Sequence, residues 1–205
     1  MNNTKRSHWE HVYDTKESHE MGWYQKVPQT SLDFIRELRL SKDAAIIDIG
    51  GGDSYLAPTL LELGYTDITV LDLSANAIER AKKRLGKKAG LINWIVSDIT
   101  EFEPTRKYDC WHDRAAFHFL IDETDIEKYV SIASEAINSN GNLIVGTFSL
   151  DGPKKCSGLP IRQYAKESLN SVFKENFKLQ NTCSSIHITP TENTQKFTFC
   201  TFSKV

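Results

Sequence analysis

The chemistry-bearing stretch with the most information is Asp48-Ile49-Gly50-Gly51-Gly52-Asp53-Ser54, which follows an apolar run from Ala44 to Ile47 and leads into a helix-like stretch from Tyr55 to Leu63. A strand that ends in a glycine turn and enters a helix is how α/β proteins hold a nucleotide-like cofactor. Glycine closes the turn and lets a ligand approach the backbone with no Cβ in the way. Asp48 stands where a pyrophosphate would otherwise lie, and a carboxylate there repels phosphate and attracts ammonium. The turn therefore favours a cofactor with a cationic amino-acid tail. A second acid, Asp72, closes the β-branched run Asp67-Ile68-Thr69-Val70-Leu71-Asp72-Leu73-Ser74 and lies 20 residues after Gly52. That is the spacing at which an acid binds a ribose diol in nucleotide folds. A third run, Asn93-Trp94-Ile95-Val96-Ser97-Asp98-Ile99, closes on another polar pair.

The segment from Asp48 to Ser54 resembles the first motif, D-x-G-x-G-x-S, of class I S-adenosylmethionine-dependent methyltransferases. The resemblance implies S-adenosylmethionine as cofactor, with Asp48, Gly50, Gly52 and Ser54 around its methionyl moiety. Asp72 and Leu73 would meet its ribose, and Ser97, Asp98 and Ile99 its adenine. Farther along, Trp111-His112-Asp113-Arg114-Ala115-Ala116-Phe117-His118-Phe119-Leu120 resembles a run found in a group of small bacterial methyltransferases. Ligands of open α/β sheets bind beyond the carboxyl ends of the strands, so this run is the place to look for catalysis. His112 and Asp113 are the candidates for positioning an acceptor or removing its proton, and Arg114 is the candidate clamp for a substrate carboxylate. His112 has a second reading, as a cover for the adenine ring. Structural alternatives stand beside these: an Arg114–Asp113 ion pair and a core role for His118.

The elements that must position these residues alternate. Predicted strands are Ala45–Asp48, Ile68–Asp72, Asn93–Val96, Tyr108–Trp111 and Leu143–Phe148; predicted helices are Ser54–Leu63, Ala75–Leu85 and Asp125–Asn138. Strands alternating with helices predict βαβ units and a parallel sheet. A loop from Asp151 to Pro160, a helix over Ala165–Asn176 and a hairpin of Phe177–Ile188 with Gln195–Phe202 complete the pattern. The expectation is a Rossmann-like, doubly wound, mostly parallel seven-stranded sheet ending in an antiparallel hairpin, as in the resembled family.

Residues 1–28 are expected to form an aromatic arm and residues 29–205 a single cofactor-binding domain. Trp9 and Tyr13 share a helix face at i and i+4. With Trp23 and Tyr24 they either pin the arm to the core or close over the sulfonium as a lid, where a ring face attracts positive charge. Both readings are compatible. Beyond Pro28, an amphipathic helix is expected with Leu32, Ile35 and Leu38 on its apolar stripe.

Composition narrows the function. The chain has 205 residues and a formal net charge of −2. It lacks the basic stripe of a nucleic-acid binder, and its clusters Lys82-Lys83-Arg84 and Lys87-Lys88 suit solvated helix ends. An apolar run long enough to span a bilayer is missing, as is the apolar core of a secretory leader near the N-terminus. Cys110, Cys156, Cys183 and Cys200 are scattered without a C-x-x-C pair, which suits reduced thiols in a cytoplasmic protein. His112, His118, Cys156 and His187 match no metal spacing, so no metal is expected. The third glycine of a nicotinamide-binding G-x-G-x-x-G is replaced by Tyr55, which argues against a dehydrogenase. What remains is a methyltransferase acting on a small polar or anionic molecule. The alternatives are a protein-lysine methyltransferase and a non-catalytic S-adenosylmethionine-binding protein.

Overall fold

The computed structural model describes residues 2–205, with side chains from residue 4 onward. Seven strands form one sheet in the order β3-β2-β1-β4-β5-β9-β8. They are β1 (Ala45–Ile49), β2 (Asp67–Asp72), β3 (Ile92–Val96), β4 (Tyr108–Arg114), β5 (Ile137–Phe148), β8 (Phe177–Ile188) and β9 (Thr194–Lys204). The first five pair in parallel, and β9 runs antiparallel between β5 and β8. Helices α1 (Asn2–Thr15), α2 (Gln29–Glu37), α3 (Leu56–Glu62), α4 (Ala75–Leu85), α5 (Glu123–Ala136) and α6 (Lys166–Phe173) complete the chain with a small hairpin, β6 (Lys155–Cys156) and β7 (Leu159–Pro160).

Strands buried on both faces read as continuous apolar runs because adjacent side chains enter opposite layers. Ile47, Trp111, Leu143 and Val145 pack with Tyr129 of α5 and Phe173 of α6. Ile46, Val70, Cys110 and Ile144 pack on the other face with Phe34 of α2 and Leu60 of α3. A third, smaller cluster joins Val12, Tyr13 and Met21 of the arm to Ala77 of α4.

The strand order turns back between β1 and β4, so the turns that follow these two strands meet. The Gly50 turn takes φ +63°, and a Cβ there would lie 2.6 Å from the Cβ of Ala116. Gly50 N–H donates to the carbonyl of Leu71 at 2.7 Å, and Ser97 N–H to that of Asp72 at 3.0 Å. The loops after β1, β2, β3 and β4 are thereby drawn into one rim.

The expected elements form, with shifted ends. β4 runs on to Arg114, three residues beyond the expected end, so its polar residues are strand residues. β5 begins at Ile137, directly after α5, because the Asn140-Gly141 signal makes a bulge inside the strand rather than a turn before it. Asn140 takes φ +64° there, and the register against β4 jumps between Tyr108↔Ile137 and Cys110↔Asn142. Within the predicted loop, Ser157 and Gly158 adopt positive φ and close the β6–β7 hairpin. No helix among the described residues is long and apolar enough to cross a membrane.

Where β5 meets β9, a Cβ on Gly146 would lie 2.4 Å from the Phe199 ring. Gly146→Ala is expected to destabilise the fold by about 1–3 kcal/mol through overpacking, measured by chemical denaturation. A further Phe199→Leu substitution should recover part of the loss.

Candidate functional site

A cavity opens at the carboxyl ends of the strands, beside the point where the order reverses. Its floor is Ile49, Gly50 and the loop Ala115–Ala116; one wall is Leu71, Asp72 and Leu73, continued by Ser97, Asp98 and Ile99 beyond β3. The roof is the arm. Trp9 meets Phe119 edge-on at a 5.1 Å centroid distance and Trp23 at 5.7 Å, and Tyr13 meets Trp23 at 5.9 Å. Arg114 and Cys156 close the far end.

The arm is fastened through α4. Ser74 caps that helix, its Oγ accepting from Ala77 N–H at 3.1 Å. Glu10 of α1 places its carboxylate at the same helix end and accepts from Ser74 Oγ at 2.8 Å, Ala75 N–H at 2.8 Å and Asn76 N–H at 3.0 Å. A carboxylate at a helix N-terminus satisfies orphan donors and meets the positive end of the macrodipole. One turn along, Arg80 donates to the Tyr13 carbonyl at 2.9 Å and to Ser18 Oγ at 2.9 Å, and lies 3.6 Å from Asp53. Sequence reasoning missed Glu10 and Arg80, since nothing in either residue's neighbourhood names its distant partner.

Of the sequence-predicted cofactor residues, Trp23, Gly50, Asp72, Leu73, Ser97, Asp98 and Ile99 line this cavity. Asp72 Oδ1 accepts from Ser74 N–H at 2.8 Å. Burial pushes its carboxyl up to about 7, with Asp48 and Glu10 adding repulsion against the Ser74 hydrogen bond. A carboxylate so short of partners gains from a hydroxyl-bearing ligand. Asp98 instead caps the short turn after β3, accepting from Thr100 N–H at 2.9 Å.

The structure takes Asp48, Gly52, Ser54 and His112 off the cavity wall. Asp48 Oδ1 lies 2.7 Å from His112 Nδ1, and His112 Nε2 shares a 2.8 Å hydrogen bond with Ser31 Oγ of α2. All three are buried. Where the sequence placed Asp48 facing an ammonium group, the structure engages its Oδ1 with His112 of the neighbouring strand, and the acids that line the cavity are Asp72 and Asp98. Gly52 sits behind Asp72, and Ser54 faces an adjoining small cleft with Tyr24 and Tyr55.

The three catalytic candidates separate by strand alternation. Asp113 points into the α5 layer, where Oδ2 accepts from Tyr129 Oη at 2.8 Å and Oδ1 from the N–H groups of Ala116 and Phe117, each at 3.0 Å. Burial raises it to about 6 against those bonds. Neither Asp113 nor His112 reaches the cavity, so neither is positioned to remove a substrate proton. Arg114 does reach it, and it makes no pair with Asp113. Its Nη1 donates to the Trp23 carbonyl at 3.1 Å, and its guanidinium lies 5.2 Å from the Phe197 ring centre. Nη2 is buried with no hydrogen-bond partner among the described residues. Burial lowers Arg114 to about 10, still charged at neutral pH. His118 is a buried neutral histidine, lowered to about 3 by burial and by Arg114.

This is the architecture of the class I S-adenosylmethionine-dependent methyltransferase fold. Residues 46–141 match the protein family described as "Methyltransferase domain". The chain is 33% identical over 105 residues to malonyl-[acyl-carrier protein] O-methyltransferase of Anoxybacillus flavithermus, covering 50% of this chain and 38% of that protein. EEF1A lysine methyltransferase 2 of Mus musculus is 23% identical over 184 residues, 85% of this chain and 72% of that protein. Among solved structures, 1,6-didemethyltoxoflavin-N1-methyltransferase of Burkholderia thailandensis, with bound 1,6-didemethyltoxoflavin and S-adenosylhomocysteine, superposes with a TM-score of 0.72 at 16% identity. The match covers 99% of this chain and 88% of that one. The chain spans 38–40% of the length of the first curated relatives it matches.

The residues present fit S-adenosylmethionine. At Gly50 the turn leaves the cavity no side chain to clear, Asp72 offers an acceptor for a diol, and the Ser97–Ile99 segment offers polar and apolar edges for a base.

Three outcomes follow. Because Asp72 is raised in the folded state, its contribution to stability falls as pH rises from about 4 to about 7 and then levels. Asp72→Asn should remove that loss in pH-dependent unfolding of the free protein. It should also weaken S-adenosylhomocysteine binding by roughly 1.5–3 kcal/mol in calorimetry. Asp113→Asn, which keeps an oxygen for the two N–H groups but sets a donor against the Tyr129 hydroxyl, should cost about 1–3 kcal/mol of stability while turnover per folded molecule is unchanged. Glu10→Ala should cost about 0.5–2 kcal/mol and raise hydrogen exchange in α1.

Proposed function

We propose that the protein transfers a methyl group from S-adenosylmethionine to a small anionic molecule. When bound, S-adenosylmethionine supplies an electrophilic methyl group on a sulfonium centre. The chain's own residues do the remaining work. Asp72 and the Ser97–Ile99 segment hold the nucleoside, and Gly50 lets it lie against the backbone. The aromatic arm excludes water and offers ring faces to positive charge, which is the lid reading of residues 1–28. Arg114 orients an anionic acceptor at the end of the cavity nearest β4. Alignment is the larger contribution, since held reactants avoid the entropy of encounter.

The observation that carries this reading is the closed aromatic roof of Trp9, Tyr13 and Trp23. A cavity roofed by the protein's own chain suits an acceptor small enough to be enclosed with the cofactor. Malonyl-[acyl-carrier protein] O-methyltransferase and 1,6-didemethyltoxoflavin-N1-methyltransferase, which this chain resembles, support a non-protein acceptor group. The second reading, a protein-lysine acceptor, is favoured by the likeness to EEF1A lysine methyltransferase 2 across 85% of the chain.

S-Adenosylhomocysteine release, measured with a low-molecular-weight metabolite extract and separately with dialysed lysate protein, tests the choice. Turnover with metabolites is the expected result. Methyl label appearing in protein lysines would support the second reading, and tight cofactor binding without turnover in either pool would make the chain a binding protein.

A further inference from the structure

We propose that the acceptor is a carboxylic acid, bound as its carboxylate on the free edge of Arg114 and methylated on oxygen. This rests on the methyl-transfer reading above and specifies its substrate class. The first observation is the unused donor. Arg114 is a partly buried side chain that lines the cavity; Nη1 serves the Trp23 carbonyl, and the buried Nη2 has no partner among the described residues. A buried charge without a hydrogen-bonded counter-ion is costly. Asp48 attracts the guanidinium only at longer range, its Oδ1 being engaged by His112. The guanidinium fork, planar by its own delocalisation, matches a planar oxyanion, and its carbon lies 5.2 Å from the Phe197 ring centre.

The second observation concerns protons. The titratable side chains lining the cavity are Lys5, Tyr13, Asp72, Asp98, Arg114 and Cys156. Asp72 and Asp98 stand beyond β2 and β3, with β1 between them and β4. At strand spacings near 4.8 Å, Asp72 begins roughly 10 Å from the Arg114 end. Lys5 lies 3.6 Å from Asp125. Burial raises the Tyr13 phenol well above its usual range and the Cys156 thiol to about 11, so both are neutral. Among the described residues that line the Arg114 end of the cavity there are thus a cation and a neutral thiol; the nearby His118 and His187 imidazoles, both shifted down by burial and by Arg114, are outside the lining. Protonated aliphatic amines and alcohols must lose a proton before or during methylation, whereas a carboxylic acid, with a pKa of about 4, is already ionised. A carboxylate oxygen forms the new C–O bond, the methyl–sulfur bond breaks with its electron pair remaining on sulfur, and no proton moves. An anion and a sulfonium cation give a neutral ester and a neutral thioether, a charge loss that a cavity walled by Trp9, Trp23 and Phe119 favours.

The test begins with protein saturated in S-adenosylhomocysteine, whose binding is measured first. Failure to bind it would sink the methyl-transfer reading itself. The loaded protein is then titrated with formate, acetate and benzoate, and with formamide, acetamide and benzamide, following the unfolding midpoint. At least one acid should stabilise saturably where its amide does not. Arg114→Gln, checked for folding by S-adenosylhomocysteine binding, should lose that response at least tenfold, and Arg114→Lys should keep part of it. Equal responses to acids and amides, or an undiminished response in Arg114→Gln, would overturn the assignment. With methyl-labelled donor and a pool of small carboxylic acids, the label should be released as methanol by mild alkali. Label retained in an alkali-stable product would likewise overturn it.

Discussion

The structure depends on one close approach: the turn after β1 and the turn after β4 meet with no room for a Cβ between them. Only a glycine at position 50, in a left-handed conformation, leaves Ala116 its place. That contact sits where the strand order reverses, and reversal is what leaves a crevice at the end of an otherwise continuous sheet. Hydrogen bonds from Gly50 to the Leu71 carbonyl and from Ser97 to the Asp72 carbonyl carry the constraint outward to the loops after β2 and β3. The acids that face the cavity are therefore placed first by backbone geometry, with Thr100 Oγ1 adding a 2.8 Å hydrogen bond to Asp98.

The polar run in β4 shows how a strand divides its chemistry. Trp111 and Asp113 point to the α5 layer and are joined through Tyr129, whose hydroxyl accepts from Trp111 Nε1 and donates to Asp113. His112 and Arg114 point the other way, to Ser31 and to Trp23. On this strand, Arg114 Nη2 is the one buried side-chain nitrogen or oxygen without a partner among the described residues; just beyond it, His118 Nε2 is another. The arrangement makes Asp113 and His112 into ties between layers: one fixes the turn after β4, the other joins α2 to β1.

Much of this was legible in the sequence. Spacing from the glycine turn to Asp72 and Asp98 located the wall of the cavity, because each acid ends a strand and parallel strands put their carboxyl ends on one rim. The roles of Asp48, His112 and Asp113 were not legible. Titratable residues near a strand end look alike whichever face they enter, and the expected end of β4 at Trp111 concealed the alternation that separates them. Glu10, Arg80 and Ser31 act on partners more than sixty residues away in the chain, and no local pattern encodes such pairings. The Ser157-Gly158 turn, by contrast, did carry a signal, since glycine at positive φ marks a hairpin that swings Cys156 to the cavity.

The small cluster of Val12, Tyr13, Met21 and Ala77 stands apart from the two layers that hold the sheet together. The arm's anchorage on α4 is otherwise polar and part-buried: Glu10 on Ser74, and Arg80 on the Tyr13 carbonyl and Ser18. The roof of the cavity thus hangs from α4 through Glu10, Arg80 and one small apolar patch, none of which belongs to the sheet beneath it.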